Sequence, residues 1–104
     1  MKGFLQVLGC LMVSIPVWAQ EVNIDIKEFM YAPKDLTIAA GTKVTWVNDD
    51  QIPHTVVETN KVFRSGALDT NDHFSYVFDS PGVFEYFCAL HPQMIGRIVV
   101  SGTH

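Results

Sequence analysis

The sequence predicts an all-β domain, a sandwich of roughly seven to eight short strands with Greek-key connections. Three observations lead there. Apolar residues alternate with polar ones at period two in several short runs, beginning with Val22, Ile24 and Ile26 against Asn23, Asp25 and Lys27. Turn signals fall between these runs at close intervals, notably Ala40-Gly41 and Ser80-Pro81-Gly82. No stretch sustains the 3.6-residue apolar stripe that a helix packing on a core would need.

The elements follow in order. Lys2, the apolar run from Phe4 to Val17 and the small-x-small end Val17-Trp18-Ala19 read as a secretory signal peptide over residues 1–19. Val7-Leu8-Gly9-Cys10 resembles a lipobox, but Cys10 lies inside the apolar run instead of at its end. Export with cleavage is therefore expected, leaving residues 20–104 as one domain without a membrane span and acting as a monomer. Strands are expected at Val22–Ile26, Leu36–Ala39, Val44–Asn48, His54–Glu58, Phe74–Phe78, Val83–Cys88 and Ile95–Val100. Val62–Asp72 shows no clear period and reads as a connection holding at most one short strand or helical turn.

Composition narrows the function. Loss of Lys2 with the leader leaves 6 basic against 11 acidic residues, a formal charge of −5. With no basic run, nucleic acid and anionic membrane are poor partners. Cleavage also removes Cys10, so Cys88 is left without a disulfide partner in an oxidising compartment. A thiol in that position is a liability unless buried or bound to metal.

The stretch "YFCALHPQMIG" places Cys88, His91 and Met94 within seven residues. Cys88 closes an aromatic strand, Met94 precedes the next, and His91 sits mid-loop. Pro92 restricts that loop, and Gly96 is expected to ease the backbone after it. A second imidazole is available from "NDDQIPHTV", where His54 follows a polar turn braced by Pro53. One end of a sandwich gathers such loops, so the four side chains are expected to meet there. Zinc makes little use of a thioether, and calcium or magnesium would require oxygens. Two imidazoles, a thiolate and a weak axial thioether describe a mononuclear type 1 copper site.

The chain resembles the cupredoxins, the type 1 blue copper proteins, and among them the amicyanins. The resemblance runs from about Val22 to Val100 on "DLTIAAGTKVTWVN", "PHTV", "SPGVFEYFCALHPQM" and "GRIVV", with the short Cys-x₂-His-x₂-Met spacing. It implies a cupredoxin-like copper-binding domain over residues 20–104, with His54, Cys88 and His91 as equatorial ligands and Met94 as the axial one. It further implies that Asn48 ties the two ligand loops together and that the Thr55 N–H donates to the Cys88 sulfur. The implied function is periplasmic electron transfer, with copper cycling between Cu(II) and Cu(I). The implied partners are redox proteins, a c-type cytochrome or a periplasmic dehydrogenase, docking near His91. Ala89-Leu90 and Gln93 depart from the amicyanin pattern, and Gln93 makes the surface beside His91 more polar.

Two other readings compete. A Cys–His–Asn nucleophile built from Cys88, His54 and Asn48 would need an electropositive setting that this chain does not offer, so no enzyme is expected. A periplasmic copper carrier or buffer would use the same ligands without a redox role. Short, proline-braced loops suit electron transfer better than carriage. Ile52, Pro53, Leu90 and Pro92 are expected to form an apolar collar for docking. His73 and His104 are expected at the surface, and Phe29 and Met30 near the site.

Overall fold

The computed structural model describes residues 20–102, so the signal peptide and His104 lie outside the described residues. Eight strands form: β1 Glu21–Lys27, β2 Met30–Ala32, β3 Asp35–Ala39, β4 Thr42–Asn48, β5 Val57–Glu58, β6 His73–Phe78, β7 Gly82–Cys88 and β8 His91–Ser101. They make two four-stranded sheets, ordered β2-β1-β4-β6 and β3-β8-β7-β5. Each sheet is mixed, because β1 runs parallel to β4 and β3 runs parallel to β8.

Alternation decides which residues fill the space between the sheets. In β4, Thr42, Val44, Trp46 and Asn48 are buried while the residues between them are half-exposed. Ile24 and Ile26 of β1 and Met94, Ile98 and Val100 of β8 point the same way, into one cluster with Tyr86 and Cys88 of β7. Trp46 is fully buried, with Phe63, Phe74, Phe78 and Tyr86 rings around it at centroid distances of 5.6, 5.8, 6.5 and 5.3 Å. Buried aromatic pairs of this kind add to the hydrophobic gain of burial itself. The Ala40-Gly41 turn forms as expected, with Gly41 at φ 95° and its N–H donating to the Phe78 carbonyl at 2.6 Å.

Four expectations need correction. Sequence pattern missed β2, because Glu28-Phe29 joins it to β1 in a two-residue hairpin without the usual asparagine or glycine. The strand expected over His54–Glu58 is confined to Val57–Glu58. His54 instead exchanges both backbone hydrogen bonds with Leu68, at 3.1 and 2.7 Å, so residues of the 62–72 connection serve as its partner. His91 does not sit mid-loop: β8 already begins there, after a turn of only Ala89 and Leu90. Nor does the backbone need easing at Gly96, which has no positive φ. The Tyr86 ring lies across it, and a methyl group there would fall inside the Tyr86 Cζ and Oη atoms.

Candidate metal centre

The β7–β8 hairpin carries three of the four candidate ligands, and its irregular register aims them. Phe87 pairs with Ile95, whereas Cys88, the next residue, pairs with His91. Pro92, Gln93 and Met94 are thus extra on β8, a bulge that breaks the ladder and redirects side chains. Met94 emerges buried, 4% exposed, in the same cluster as Cys88.

His54 arrives on the segment between β4 and β5, where it pairs with Leu68. Its Nδ1 lies 3.7 Å from Cys88 Sγ, and His91 Nδ1 lies 3.6 Å from the same sulfur. All three ligand atoms fall within 4.8 Å of one another. A first-row metal bonded to nitrogen at about 2.1 Å and to sulfur at about 2.3 Å, with ligand angles of about 110–120°, holds N and S about 3.6–3.8 Å apart. The observed separations therefore match a shared ion. Soft sulfur beside two imidazoles suits copper, and His54 and Cys88 are wholly buried while His91 keeps partial exposure.

Hydrogen bonds hold each ligand in place. The Thr55 N–H donates to Cys88 Sγ at 3.3 Å, as expected, and this stabilises a thiolate. The Thr55 hydroxyl, 3.8 Å from the sulfur, accepts the Ala89 N–H at 2.7 Å. Thr55 thus joins the two ligand segments, a role the resemblance assigned to Asn48. Asn48 instead donates to the Ile52 and Leu68 carbonyls at 2.9 and 2.8 Å and accepts the Asp50 N–H at 2.9 Å, stitching the loop before His54 to the 62–72 connection. Tyr31 donates its hydroxyl to the Thr55 carbonyl at 2.7 Å. Burial, then the nearby Cys88 and Tyr86 charges, push the Tyr31 phenol well up, so it stays a donor at any working pH.

One further residue at the site, Asp50, was not expected there, whereas Phe29 lies near the site as expected. Asp50 Oδ2 lies 2.7 Å from His54 Nε2, which fixes the ring and directs Nδ1 toward the sulfur. Burial opposes the Asp50 charge, but hydrogen bonds from the Phe29 and Glu28 amides and from His54 prevail and hold its carboxyl below the ordinary range. The Phe29 ring stands perpendicular to both imidazoles, 5.5 Å from His54 and 5.0 Å from His91. The spacing of Asp50 four residues before His54 was a readable signal, but Asp49 beside it was an equal choice. His73 is exposed, as expected.

Comparison with known proteins agrees with this geometry. The family model of copper-binding proteins of the plastocyanin/azurin family matches residues 18–101. Amicyanin of Paracoccus versutus is 31% identical over 88 residues, covering 80% of this chain and 67% of that protein. Plastocyanin of Physcomitrium patens is 33% identical, covering 68% of this chain and 50% of that one. Among solved structures, a purple cupredoxin from Nitrosopumilus maritimus superposes with a TM-score of 0.73 at 36% identity, covering 77% of this chain and 99% of the other. An amicyanin variant in its Cu(I) state gives the same TM-score at 27% identity, covering 77% and 81%. With a two-sheet fold, a convergent His–Cys–His cluster and these relatives, the chain belongs to the copper-binding plastocyanin/azurin family: it is a cupredoxin similar to the amicyanins, a copper electron-transfer protein.

Proposed function

We propose that this cupredoxin shuttles single electrons between periplasmic redox partners, holding one type 1 copper with His54, Cys88, His91 and Met94. The observation that carries the reading is the braced convergence of His54 Nδ1, Cys88 Sγ and His91 Nδ1 within 4.8 Å. When bound, copper supplies the one-electron Cu(II)/Cu(I) couple. The chain's own part is to keep the ligands still. Asp50 fixes His54, Thr55 fixes the sulfur, and a two-residue turn fixes His91. Ligands that do not move leave little to reorganise when the charge changes. A carrier must surrender its ion, and burial of His54, Cys88 and Met94 opposes that.

His91 is the exit for the electron, being the only partly exposed imidazole of the cluster. Leu90 at 52% exposure stands beside it, with exposed Pro53 and Pro92, half-buried Ile52, and exposed Phe29, Met30 and Ile95 toward the same end. This apolar collar suits brief docking, and the net negative charge steers cationic partners such as a c-type cytochrome or a periplasmic dehydrogenase. Leu90→Glu is expected to slow electron exchange with a c-type cytochrome by about tenfold, the cost of about 1.4 kcal/mol in docking. Stopped-flow spectroscopy at fixed ionic strength reads the rate, and the copper absorption should be unchanged. Loss of the absorption would place Leu90 in the packing of the site instead of on its docking face.

A further inference from the structure

The hairpin between β1 and β2 is built against local preference. Lys27 pairs with Met30, so Glu28 and Phe29 are the two central residues, and both have positive φ, 55° and 60°. That conformation belongs to glycine and asparagine, and a bulky aromatic residue there is an outlier. Such strain persists only where the surroundings over-determine it. Here the surroundings are a single carboxylate. Asp50 Oδ1 accepts the Glu28 N–H at 2.6 Å, and Asp50 Oδ2 accepts the Phe29 N–H at 3.0 Å. The same Oδ2 holds His54 Nε2.

The strained backbone has one visible product, the position of a ring. Phe29 is 48% exposed, yet its ring meets both imidazoles at right angles. It therefore lies over the seam where His54 and His91, themselves 5.1 Å apart, come together above Cys88. Cys88 and His54 have no exposed surface although they sit beside a two-residue turn at the end of the sandwich.

We infer that Phe29 is the solvent lid of the metal centre, a positioning residue that keeps water and small anions from the seam between the two imidazoles and from the Cys88 sulfur. This rests on reading the cluster as the copper site. Glycine is the residue the turn prefers, so conformational stability and the lid call for opposite residues at position 29. Glycine would not improve on a merely structural phenylalanine, because loss of the ring would lower stability.

The test uses two variants, Phe29→Gly and Phe29→Leu, in the chain from Gln20 to His104. In the metal-free protein, the rate at which Cys88 reacts with a small aromatic disulfide reports access to the sulfur. Phe29→Gly is expected to react about tenfold faster than the parent while melting at the same temperature or higher. Phe29→Leu, which keeps apolar bulk on the strained backbone, should react at an intermediate rate and melt below Phe29→Gly. In the copper-loaded protein, azide should perturb the visible and EPR spectra of Phe29→Gly at concentrations that leave the parent unchanged. Equal thiol rates in Phe29→Gly and parent, or a lower melting temperature for Phe29→Gly, would overturn the lid. Neither readout of the metal-free chain depends on which metal the cluster holds. A mistaken copper assignment would show instead as a loaded spectrum indifferent to Cys88→Ser.

Discussion

Asp50 ties the first hairpin to a ligand, since its two oxygens meet Glu28, Phe29 and His54. Its carboxyl is held below the ordinary value of 3.8 by those donors, against the opposing pull of burial. A carboxylate with a depressed folded-state value stabilises the fold above its unfolded value, and that contribution is lost as pH falls through the folded one. In the metal-free chain, Asp50→Asn should therefore melt below the parent at pH 6, with the gap closing below pH 3.8. Thermal denaturation by circular dichroism across that range checks it, and a gap independent of pH would mean that shape and not charge matters at Asp50. At this scale the sequence was only partly legible. Cys88, His91 and Met94 announce themselves by lying in one short stretch, and His54 by its proline-braced turn. Asp50 could not be told from Asp49, nor Thr55's hydroxyl from any other, because their partners come from strands distant in sequence.

The β7–β8 pair is the element on which the site depends, and Gly96 is where it is most tightly packed. With Tyr86 lying across it, Gly96→Ala forces the ring aside in a full core, a cost of about 1–3 kcal/mol. For a domain of this size that lowers the melting temperature by about 4–8 °C for each kcal/mol. Gly66→Ala is the control, because a methyl there meets nothing within 4 Å, and it should melt like the parent. Calorimetry of the two variants compares them directly, and a neutral Gly96→Ala would show that the Tyr86 ring moves freely. The longer strands were legible from period-two alternation, since each has one face in the core and one in solvent. Strand β2 was not, for its three residues are too few to show a period and its turn lacks the usual residues. The segment after His54 misled for a different reason: it is buried throughout from His54 to Glu58, so it reads as a strand although only its end pairs as one.

The whole molecule gathers its chemistry at one end and offers nothing elsewhere that competes with it among the described residues: His54, Cys88 and His91 are the one cluster there able to hold a metal. Among the described residues no disulfide reinforces the sandwich, and Cys88 is free. A domain as small as the described residues 20–102 buries only about 60–65% of its unfolded surface, so an ion that binds the folded state alone also strengthens the fold. The same economy explains why fold class and copper were readable together from sequence, as the strand ends that define the sandwich also carry the ligands. The proposed function stands or falls on Cu(II) bonding the Cys88 thiolate. Visible and EPR spectra of the Gln20–His104 chain loaded with Cu(II), recorded beside Cys88→Ser, decide it. An intense visible absorption with narrow copper hyperfine splitting, absent from Cys88→Ser, is the predicted result. A pale spectrum that Cys88→Ser leaves unchanged would contradict it and would favour a Cu(I) carrier.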